Sequence, residues 1–265
     1  MIPKVIHYCW FGGNPLPELA IKCINSWNKY LPGYEIREWN ESNFDVNSIK
    51  YTQQAYKRKK YAFVSDYARF WILYHYGGIY FDIDVELIKP FEPILQSGPY
   101  MGLETNNVMQ TGIFTGTDVG VACNPGLGMA TVKGMKFCKD MLDLYQDLSF
   151  IFPSGAINTK SVVSYTSEML LKCGYDKRFN GIQECAGFKI YPREYFCPRI
   201  DRETGKITLY PETHSIHHYA ATWVDKKMMW KERIVAVMIK VLPISAVKNI
   251  RKIYRIILRK NNLYI

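Results

Sequence analysis

The N-terminal part of the chain alternates between short apolar runs and segments in which apolar residues recur at helical spacing. The run IPKVIHYCW at 2–10 predicts a buried strand that ends at Trp10. Helical spacing predicts a helix over about 16–30, and YEIREWN at 34–40 alternates like a second strand. Residues 41–59 are polar and predict only short helical pieces.

The strongest helical pattern is KYAFVSDYARFWILYHYGG at 60–78, which ends at two glycines. IYFDIDVEL at 79–87 follows it and is predicted to be a strand, and a further helix is predicted near 131–148. Alternating strands and helices favour an α/β fold with a mainly parallel sheet flanked by helices. In such sheets ligands collect at the carboxyl ends of the strands, where Trp10 is expected.

Two carboxylates, Asp82 and Asp84, lie at the end of the predicted strand 79–87. Side chains at i and i+2 of a strand point to the same face, so the two groups would repel each other unless a positive charge lay between them. A divalent cation is one candidate, because Mg²⁺ and Mn²⁺ prefer oxygen ligands. A solvated acidic turn is the alternative for so short a motif.

Length and composition indicate a folded chain with one large domain, or one domain with an appendage. With 265 residues, 48% hydrophobic and 15% aromatic, the protein can bury a large core, which argues against global disorder. The most apolar stretch, 234–247, is too short to span a bilayer and contains Lys240 and Pro243. The N-terminus lacks the pattern of a secretory signal, and the seven scattered cysteines form no C-x-x-C pair. We therefore expect reduced thiols and a cytoplasmic protein.

The net charge of +10 lies entirely in residues 226–265, which hold eleven Lys and Arg against one acid, Glu232. Within this tail, 244–260 is amphipathic, with its basic residues on one arc of a predicted helix. We expect the tail to lie on an anionic membrane surface. Packing of its apolar side on the catalytic domain is an alternative, and nucleic-acid binding is disfavoured because the body has no recognisable reader module.

Four sequence blocks together indicate a family. They are IPKVIHYCWFGG at 2–13, SDYAR at 65–69, GGIYFDID at 77–84 and HHYAATW at 217–223. In this order they resemble glycosyltransferase family 32, a group of D-x-D sugar transferases. The group includes bacterial capsule and lipopolysaccharide enzymes and yeast initiating mannosyltransferases, and large clostridial glucosylating toxins share its catalytic core.

The resemblance implies a GT-A fold for residues 1–225, a Mn²⁺ or Mg²⁺ ion, a nucleotide-sugar donor and transfer with retention of anomeric configuration. It favours a UDP-hexose over GDP-mannose. The expected acceptor is a glycan or a lipid-linked oligosaccharide, in bacterial surface polysaccharide synthesis. With the basic tail at 226–265, this predicts an enzyme peripheral to the inner face of the cytoplasmic membrane.

By resemblance, Trp10 contacts the donor base, and the S-D-x-x-R block formed by Ser65, Asp66 and Arg69 holds the sugar and the donor. Stacking of a base on an aromatic ring contributes about 1–3 kcal/mol. The alternative for Trp10 is a core residue at a strand end. The alternative for Asp66 and Arg69 is a surface ion pair between residues i and i+3 of a helix, worth a few tenths of a kcal/mol.

The Y-x-D-x-D block places Tyr80, Asp82 and Asp84 at the donor. The resemblance makes Asp84 the firmer metal ligand and puts Asp82 near the ribose and the metal. With Asp66 and Arg69, the two aspartates are the predicted catalytic residues.

The H-H-x-x-x-[ST]-W block supplies the last predicted contacts. His217 is the favoured third metal ligand and His218 the less favoured one, although either could be a structural histidine. Trp223 is expected to cover the diphosphate. Thr222 replaces the usual Ser and keeps its hydroxyl.

Two other functional classes remain open from the sequence. FDIDVE also fits the D-x-D-x-[TV] nucleophile motif of haloacid-dehalogenase-type phosphohydrolases, but 87–225 contain no adjacent acidic pair for the later motif of that class. A non-catalytic sugar-binding protein is the second, although the intact blocks argue against it. FPSGAIN at 152–158 departs from the T-G-P-like loop that family members tend to carry near the acceptor, which leaves acceptor choice open.

Overall fold

The computed structural model describes residues 1–105, 120–200 and 206–220. Its α-helices are Glu18–Tyr30 (α1), Lys50–Lys57 (α2), Tyr61–Tyr76 (α3), Glu92–Gln96 (α4), Lys136–Gln146 (α5) and Val162–Lys172 (α6). The strands are Val5–Cys9 (β1), Glu35–Trp39 (β2), Gly78–Tyr80 (β3), Val85–Leu87 (β4), Tyr100–Thr105 (β5), Ala122–Cys123 (β6), Met129–Thr131 (β7), Gln183–Cys185 (β8), Phe188–Tyr191 (β9), Arg199–Ile200 (β10), Ile207–Thr208 (β11) and Ser215–His217 (β12). Short 3-10 helices lie at Pro125–Leu127 and Arg193–Tyr195.

The central sheet has the strand order β2-β1-β3-β7-β5-β9-β8, with β6 paired to β5. Strands β2, β1 and β3 run parallel, as do β5 and β9. Strand β7 runs antiparallel to both β3 and β5 and joins these two groups, which therefore point the same way. The predicted α/β fold with a mainly parallel sheet is confirmed, and the antiparallel strands β7 at its centre, β6 beside β5 and β8 beside β9 are additions that the sequence pattern did not predict.

Helices cover both faces of the sheet. Successive residues of β1 point to opposite faces, so their contacts show what lies on each side. Ile6 and Tyr8 belong to the same buried cluster as Trp27 of α1. His7, between them, faces Trp39 and Tyr76, the last residue of α3. The sheet is therefore sandwiched between α1 on one side and α3 on the other.

Helix α3 ends where the sequence predicted, at a glycine. Gly77 has a φ of +66°, and its N–H donates to the carbonyl of Leu73 at 2.9 Å. This left-handed conformation suits glycine and turns the chain directly into β3. The tight connection fixes the distance between residues of α3 and those that follow β3.

The predicted strand over 79–87 is wrong in one respect, because the strand is interrupted at the D-x-D motif. Strand β3 ends at Tyr80, and β4 begins at Val85. Between them the Val85 N–H donates to the Asp82 carbonyl at 3.1 Å and closes a turn. Ile83 keeps the run apolar, which hides this turn from a periodicity argument. Asp82 and Asp84 therefore converge through a turn and not through the pleat of a strand.

Among the described residues, those of 1–150 and 160–220 form one compact unit, and 151–159 belong to a second. In the second unit an isolated antiparallel bridge joins Ile151 and Ile157. The predicted domain boundary after residue 225 and the basic tail at 226–265 lie outside the described residues and stay predictions. No helix within the described ranges is both long and apolar enough to cross a membrane.

Candidate metal and donor site

His217 reaches the D-x-D motif through a two-stranded sheet between β4 and β12. The strands run antiparallel, with His217 opposite Val85, the residue after Asp84. As a result His217 Nε2 lies 3.1 Å from Asp84 Oδ1. The backbone N–H of Ala220 donates to Asp84 Oδ2 at 2.8 Å, and that of His218 donates to the Asp84 carbonyl at 3.0 Å.

The electrostatics of Asp84 and His217 are those of a tightly coupled pair. Burial opposes ionisation of Asp84, but the nearby His217 and the Ala220 N–H lower its pKa to about 2. Burial would likewise lower the pKa of His217, yet its attraction to Asp84 raises it above the ordinary value. The carboxylate is therefore charged at neutral pH, and its negative charge favours a positive charge beside His217.

Asp82 is held by three groups from three parts of the chain. Tyr80 Oη donates to Asp82 Oδ1 at 3.1 Å, and Arg69 Nη2 lies 3.3 Å from the same oxygen. The Asp82 backbone N–H donates to the Gly126 carbonyl at 3.1 Å. Asp82 Oδ1 is thus engaged by Tyr80 and Arg69.

Asp82, Asp84 and His217 fit a single divalent cation. One ligand atom from each residue can be chosen so that all three lie within 4.8 Å of one another. His217 is buried, and its Nδ1 has no hydrogen-bond partner in the described part of the chain. Two carboxylates and an imidazole are ligands that protein sites offer to divalent metals. The structure therefore shows a candidate metal site, while Mn²⁺ or Mg²⁺ as its ion stays a prediction.

Arg69 links the metal site to helix α3. Its Nη2 lies 3.0 Å from Asp66 Oδ1 as well as 3.3 Å from Asp82, and its guanidinium stacks over the Tyr80 ring at 4.9 Å from the centroid. The side chains of Arg69 and Asp66 are 4% and 11% exposed. Reading this pair as a surface ion pair is therefore wrong, and its burial makes the loss of either partner costly because the other would be left unpaired in the interior.

Burial also has the largest effect on the pKa of Asp66. It raises the pKa of this carboxyl to about 7, with Arg69 opposing the shift and Asp82 adding to it. The backbone N–H of Val162, the first residue of α6, also hydrogen-bonds to the Asp66 carboxylate. Asp66 therefore binds Arg69 from one side and the start of a helix from another.

The remaining predicted donor residues occupy different environments. Ser65 Oγ donates to the Tyr61 carbonyl at 3.2 Å within α3. Tyr80 is fully buried, so it acts on the site through Asp82 and Arg69. Trp10 follows β1 and is partly buried against the core cluster. This position is compatible both with the predicted base contact and with a packing role. The donor roles of these residues stay predictions.

His218 is turned away from the metal site. Its Nε2 lies 2.8 Å from Glu86 Oε2, which also pairs with Lys22. Of the two adjacent histidines, the structure brings only the favoured His217 to the carboxylates. Trp223, the other predicted residue of this block, lies outside the described residues.

The structure adds three residues that sequence reasoning missed: Glu104, Asn124 and Gly126. Asn124 Oδ1 accepts from the Gly126 N–H at 2.7 Å, and Asn124 Nδ2 donates to Glu104 Oε2 at 3.3 Å. A Cβ on residue 126 would lie 2.0 Å from Asp82 Oδ2. The sequence NPG at 124–126 signals a turn, but no local pattern connects that turn with Asp82.

Comparison with known proteins finds a family that matches part of the chain. Residues 17–100 match the family described as "Glycosyltransferase sugar-binding region containing DXD motif". The expected D-x-D sugar-transferase region is thus confirmed for that segment, which includes Asp66, Arg69, Asp82 and Asp84. Family 32 in particular, and a bacterial type of enzyme, stay predictions.

The chain is similar to two curated proteins of Schizosaccharomyces pombe. It is 31% identical over 111 residues to inositol phosphoceramide mannosyltransferase 1, covering 38% of this chain and 33% of that protein. It is 33% identical over 102 residues to inositol phosphoceramide mannosyltransferase 3, covering 36% and 27%. The chain therefore spans about a third of the length of these relatives.

Among solved structures, the chain is similar to the PaToxG glycosyltransferase. The sequence identity is 20%, and the match covers 64% of this chain and 69% of that chain with a TM-score of 0.47.

Proposed function

We propose that this protein is a metal-dependent glycosyltransferase that moves a hexose from a nucleotide-sugar to a glycan acceptor. The observation that carries the proposal is the meeting of Asp82, Asp84 and His217 within 4.8 Å, with the two aspartates inside the matched sugar-transferase region. Asp82 is in turn tied to Arg69 and Asp66. A nucleotide-sugar needs both a counterion for its diphosphate and polar groups for its sugar, and this cluster offers both.

In this proposal each residue has a distinct task. Asp82, Asp84 and His217 hold the cation, which would neutralise charge on the nucleotide diphosphate as it leaves. Arg69 fixes the carboxylates of Asp66 and Asp82, and its Nη1 has no hydrogen-bond partner among the described residues. Asp66 is a hydrogen-bond acceptor suited to a sugar hydroxyl.

Two donors, a UDP-hexose and GDP-mannose, are candidates for this site. The resemblance in Trp10 favours a UDP-hexose. The names of the two yeast relatives describe mannosyl transfer, which favours GDP-mannose. We retain UDP-hexose as the first donor to test and GDP-mannose as the second. Retention of anomeric configuration is part of the proposal and rests on the family resemblance alone.

We propose a lipid-linked acceptor. The name of each yeast relative specifies an inositol phosphoceramide, which is a lipid, as the acceptor of that protein. The basic residues of 226–265 suit an anionic membrane surface. Together they favour an enzyme that extends a lipid-linked glycan, for which we propose bacterial surface polysaccharide synthesis at the inner face of the cytoplasmic membrane.

Donor hydrolysis tests the proposal. The purified protein is incubated with UDP- and GDP-sugars in Mn²⁺, Mg²⁺ or EDTA, without and with lipid-linked acceptors, and nucleotide release is measured. Asp84→Asn is compared with Asp143→Asn, which changes an exposed aspartate paired with Lys139 on α5. We expect metal-dependent release from one nucleotide class, lost in Asp84→Asn and kept in Asp143→Asn.

The same assay separates the rival classes. Release of phosphate from simple phosphomonoesters, with no use of any nucleotide-sugar, would favour a phosphohydrolase. Binding of a nucleotide-sugar with no turnover under any of these conditions would favour a sugar-binding protein. Either result would contradict the proposed transferase.

A further inference from the structure

A continuous series of hydrogen bonds runs from Asp82 to the residue two positions after His217. The Asp82 N–H donates to the Gly126 carbonyl at 3.1 Å, and the Gly126 N–H donates to Asn124 Oδ1 at 2.7 Å. Asn124 Nδ2 donates to Glu104 Oε2 at 3.3 Å, and Glu104 hydrogen-bonds to the hydroxyl of Tyr219. The series therefore connects Asp82 with Tyr219, whose ring packs against His217. It links these two predicted metal ligands without passing through the metal position.

Glu104 is the point at which the two halves of this path meet. It lies near the end of β5, partly buried, and its carboxylate receives bonds from Asn124 and Tyr219. Because one side chain binds both Asn124, which caps the 3-10 helix, and Tyr219, in the segment after β12, it fixes the spacing between those segments. Such two-sided contacts are a property of tertiary packing and have no counterpart in the local sequence.

Tyr219 has an unusual conformation that serves this contact. Its φ is +50°, in the left-handed region that residues with a Cβ rarely adopt. In this conformation its ring packs edge-on against the His217 ring, with centroids 4.2 Å apart. Its hydroxyl lies 2.8 Å from Cys197 Sγ in addition to its bond with Glu104. Tyr219 is thus attached at its ring to a metal ligand and at its hydroxyl to Glu104 and Cys197.

We propose that Glu104 is a positioning residue that acts through Tyr219 and Asn124 to hold His217 and Asp82 at the separation one divalent cation requires. The inference rests on the proposed function, since it concerns the metal site of that reaction. Groups that hydrogen-bond to the ligands of a metal fix their orientation, and their loss weakens metal affinity about 10- to 100-fold. Glu104 acts one contact further from the metal position, on His217 through the Tyr219 ring and on the Asp82 backbone through Asn124 and Gly126.

A purely electrostatic role for Glu104 makes a different prediction. A nearby carboxylate would attract the cation by its charge alone, without any need for the Tyr219 hydroxyl. Tyr219→Phe removes that hydroxyl, changes no formal charge and keeps the ring that contacts His217. Glu104→Gln removes the charge and keeps an oxygen that can accept from Tyr219. The two substitutions therefore separate position from charge.

The test measures Mn²⁺ affinity by electron paramagnetic resonance on the full chain, with Mn²⁺ alone and with UDP or GDP added. Variants are Tyr219→Phe, Glu104→Gln and Glu104→Ala. The matched control is Tyr8→Phe, which removes a hydroxyl that donates to Glu38 at 2.7 Å. Circular dichroism and thermal unfolding show which variants fold.

We expect Tyr219→Phe and Glu104→Ala to weaken Mn²⁺ binding about tenfold or more, and Glu104→Gln less than Glu104→Ala. Tyr8→Phe should bind Mn²⁺ as the parent does.

If Glu104→Ala does not fold, the Mn²⁺ affinity of Tyr219→Phe decides the test. Mn²⁺ affinity within about twofold of the parent in folded Tyr219→Phe would overturn the inference, and so would an effect confined to loss of the Glu104 charge. If the parent protein binds Mn²⁺ in that experiment, the proposed function stands even where the inference about Glu104 fails. If the parent binds no Mn²⁺, both the proposed function and the inference are overturned.

Discussion

The backbone N–H of Asp82 donates to the carbonyl oxygen of Gly126 at 3.1 Å, and a Cβ on residue 126 would lie 2.0 Å from Asp82 Oδ2. The first contact fixes the backbone of the D-x-D turn against the 3-10 helix at Pro125–Leu127. The second shows that the Asp82 carboxylate occupies space that any other residue at 126 would fill. Gly126 is therefore a steric requirement of the candidate metal site.

Gly126→Ala should displace the Asp82 carboxylate and weaken Mn²⁺ binding about tenfold, an effect like that of losing an outer-shell partner. Gly33→Ala is the control. It introduces a methyl group where nothing lies within 4 Å, at a φ of +81°. It should cost about 1 kcal/mol of stability through backbone strain and leave Mn²⁺ affinity unchanged. Equal Mn²⁺ affinity in the two variants would show that Asp82 does not need this space.

The adjacent histidines should differ in their effect on metal binding. His217→Asn removes a predicted ligand and should weaken Mn²⁺ binding by about tenfold or more. His218→Asn removes a ring that bonds to Glu86 and should leave the affinity within about twofold of the parent, since His218 only supports β4. Isothermal titration of Mn²⁺ into both variants measures the difference. A larger loss in His218→Asn would reverse the assignment.

Arg69 should be needed for stability as well as for donor binding. Arg69→Met leaves the buried Asp66 carboxylate without its ion pair, and breaking a buried pair in this way costs about 3–5 kcal/mol. Arg178→Met breaks the exposed pair with Asp176 and should cost less than about 1 kcal/mol. Urea denaturation followed by circular dichroism measures the free energy of unfolding of both. Comparable losses would contradict the buried role of Arg69.

Stability should fall as the pH drops below neutrality because of His7. Burial lowers the pKa of His7 from 6.5 to about 4, although its bond to the Gly77 carbonyl opposes the shift. Its Nδ1 accepts from Trp39 Nε1 at 3.0 Å, so protonation there would break a buried bond.

Between pH 6.5 and 4 the unfolded chain binds a proton at His7 that the folded chain does not. The contribution is complete above pH 6.5 and declines as the pH falls, by roughly 3 kcal/mol at pH 4. Urea denaturation across this range should show a shallower pH slope for His7→Asn than for the parent. His75→Asn, at an exposed position, is the control and should change the slope less. A parent slope retained in His7→Asn would assign the effect to other groups.

Much of the fold was predictable because periodicity and glycine placement are local properties. β1, α1, β2 and α3 lie within the predicted segments, and Gly77 ends α3 as expected. The interruption at Asp82 was not predictable, because Ile83 continues the apolar run and because the Asp82 N–H pairs with Gly126, which comes 44 positions after Asp82 in the chain.

The candidate site divides in the same way. Asp66 and Arg69 could be paired from their spacing on one helix, but their burial depends on packing that no local pattern records. His217 was preferred over His218 from the register of its block, and the pairing of β12 with β4 turns the two rings in different directions. Glu104 and Asn124 are isolated in the sequence, so only the folded chain shows their connection to Asp82.

The central claim is that Asp82, Asp84 and His217 bind one divalent cation for a nucleotide-sugar. The most direct measurement is anomalous X-ray diffraction from crystals of the full chain grown with Mn²⁺ and either UDP or GDP. We predict one Mn²⁺ peak in contact with Asp84 and His217 Nε2, adjacent to Asp82 and to the diphosphate. Bound nucleotide with no Mn²⁺ at these three side chains, or Mn²⁺ held only elsewhere, would contradict the account.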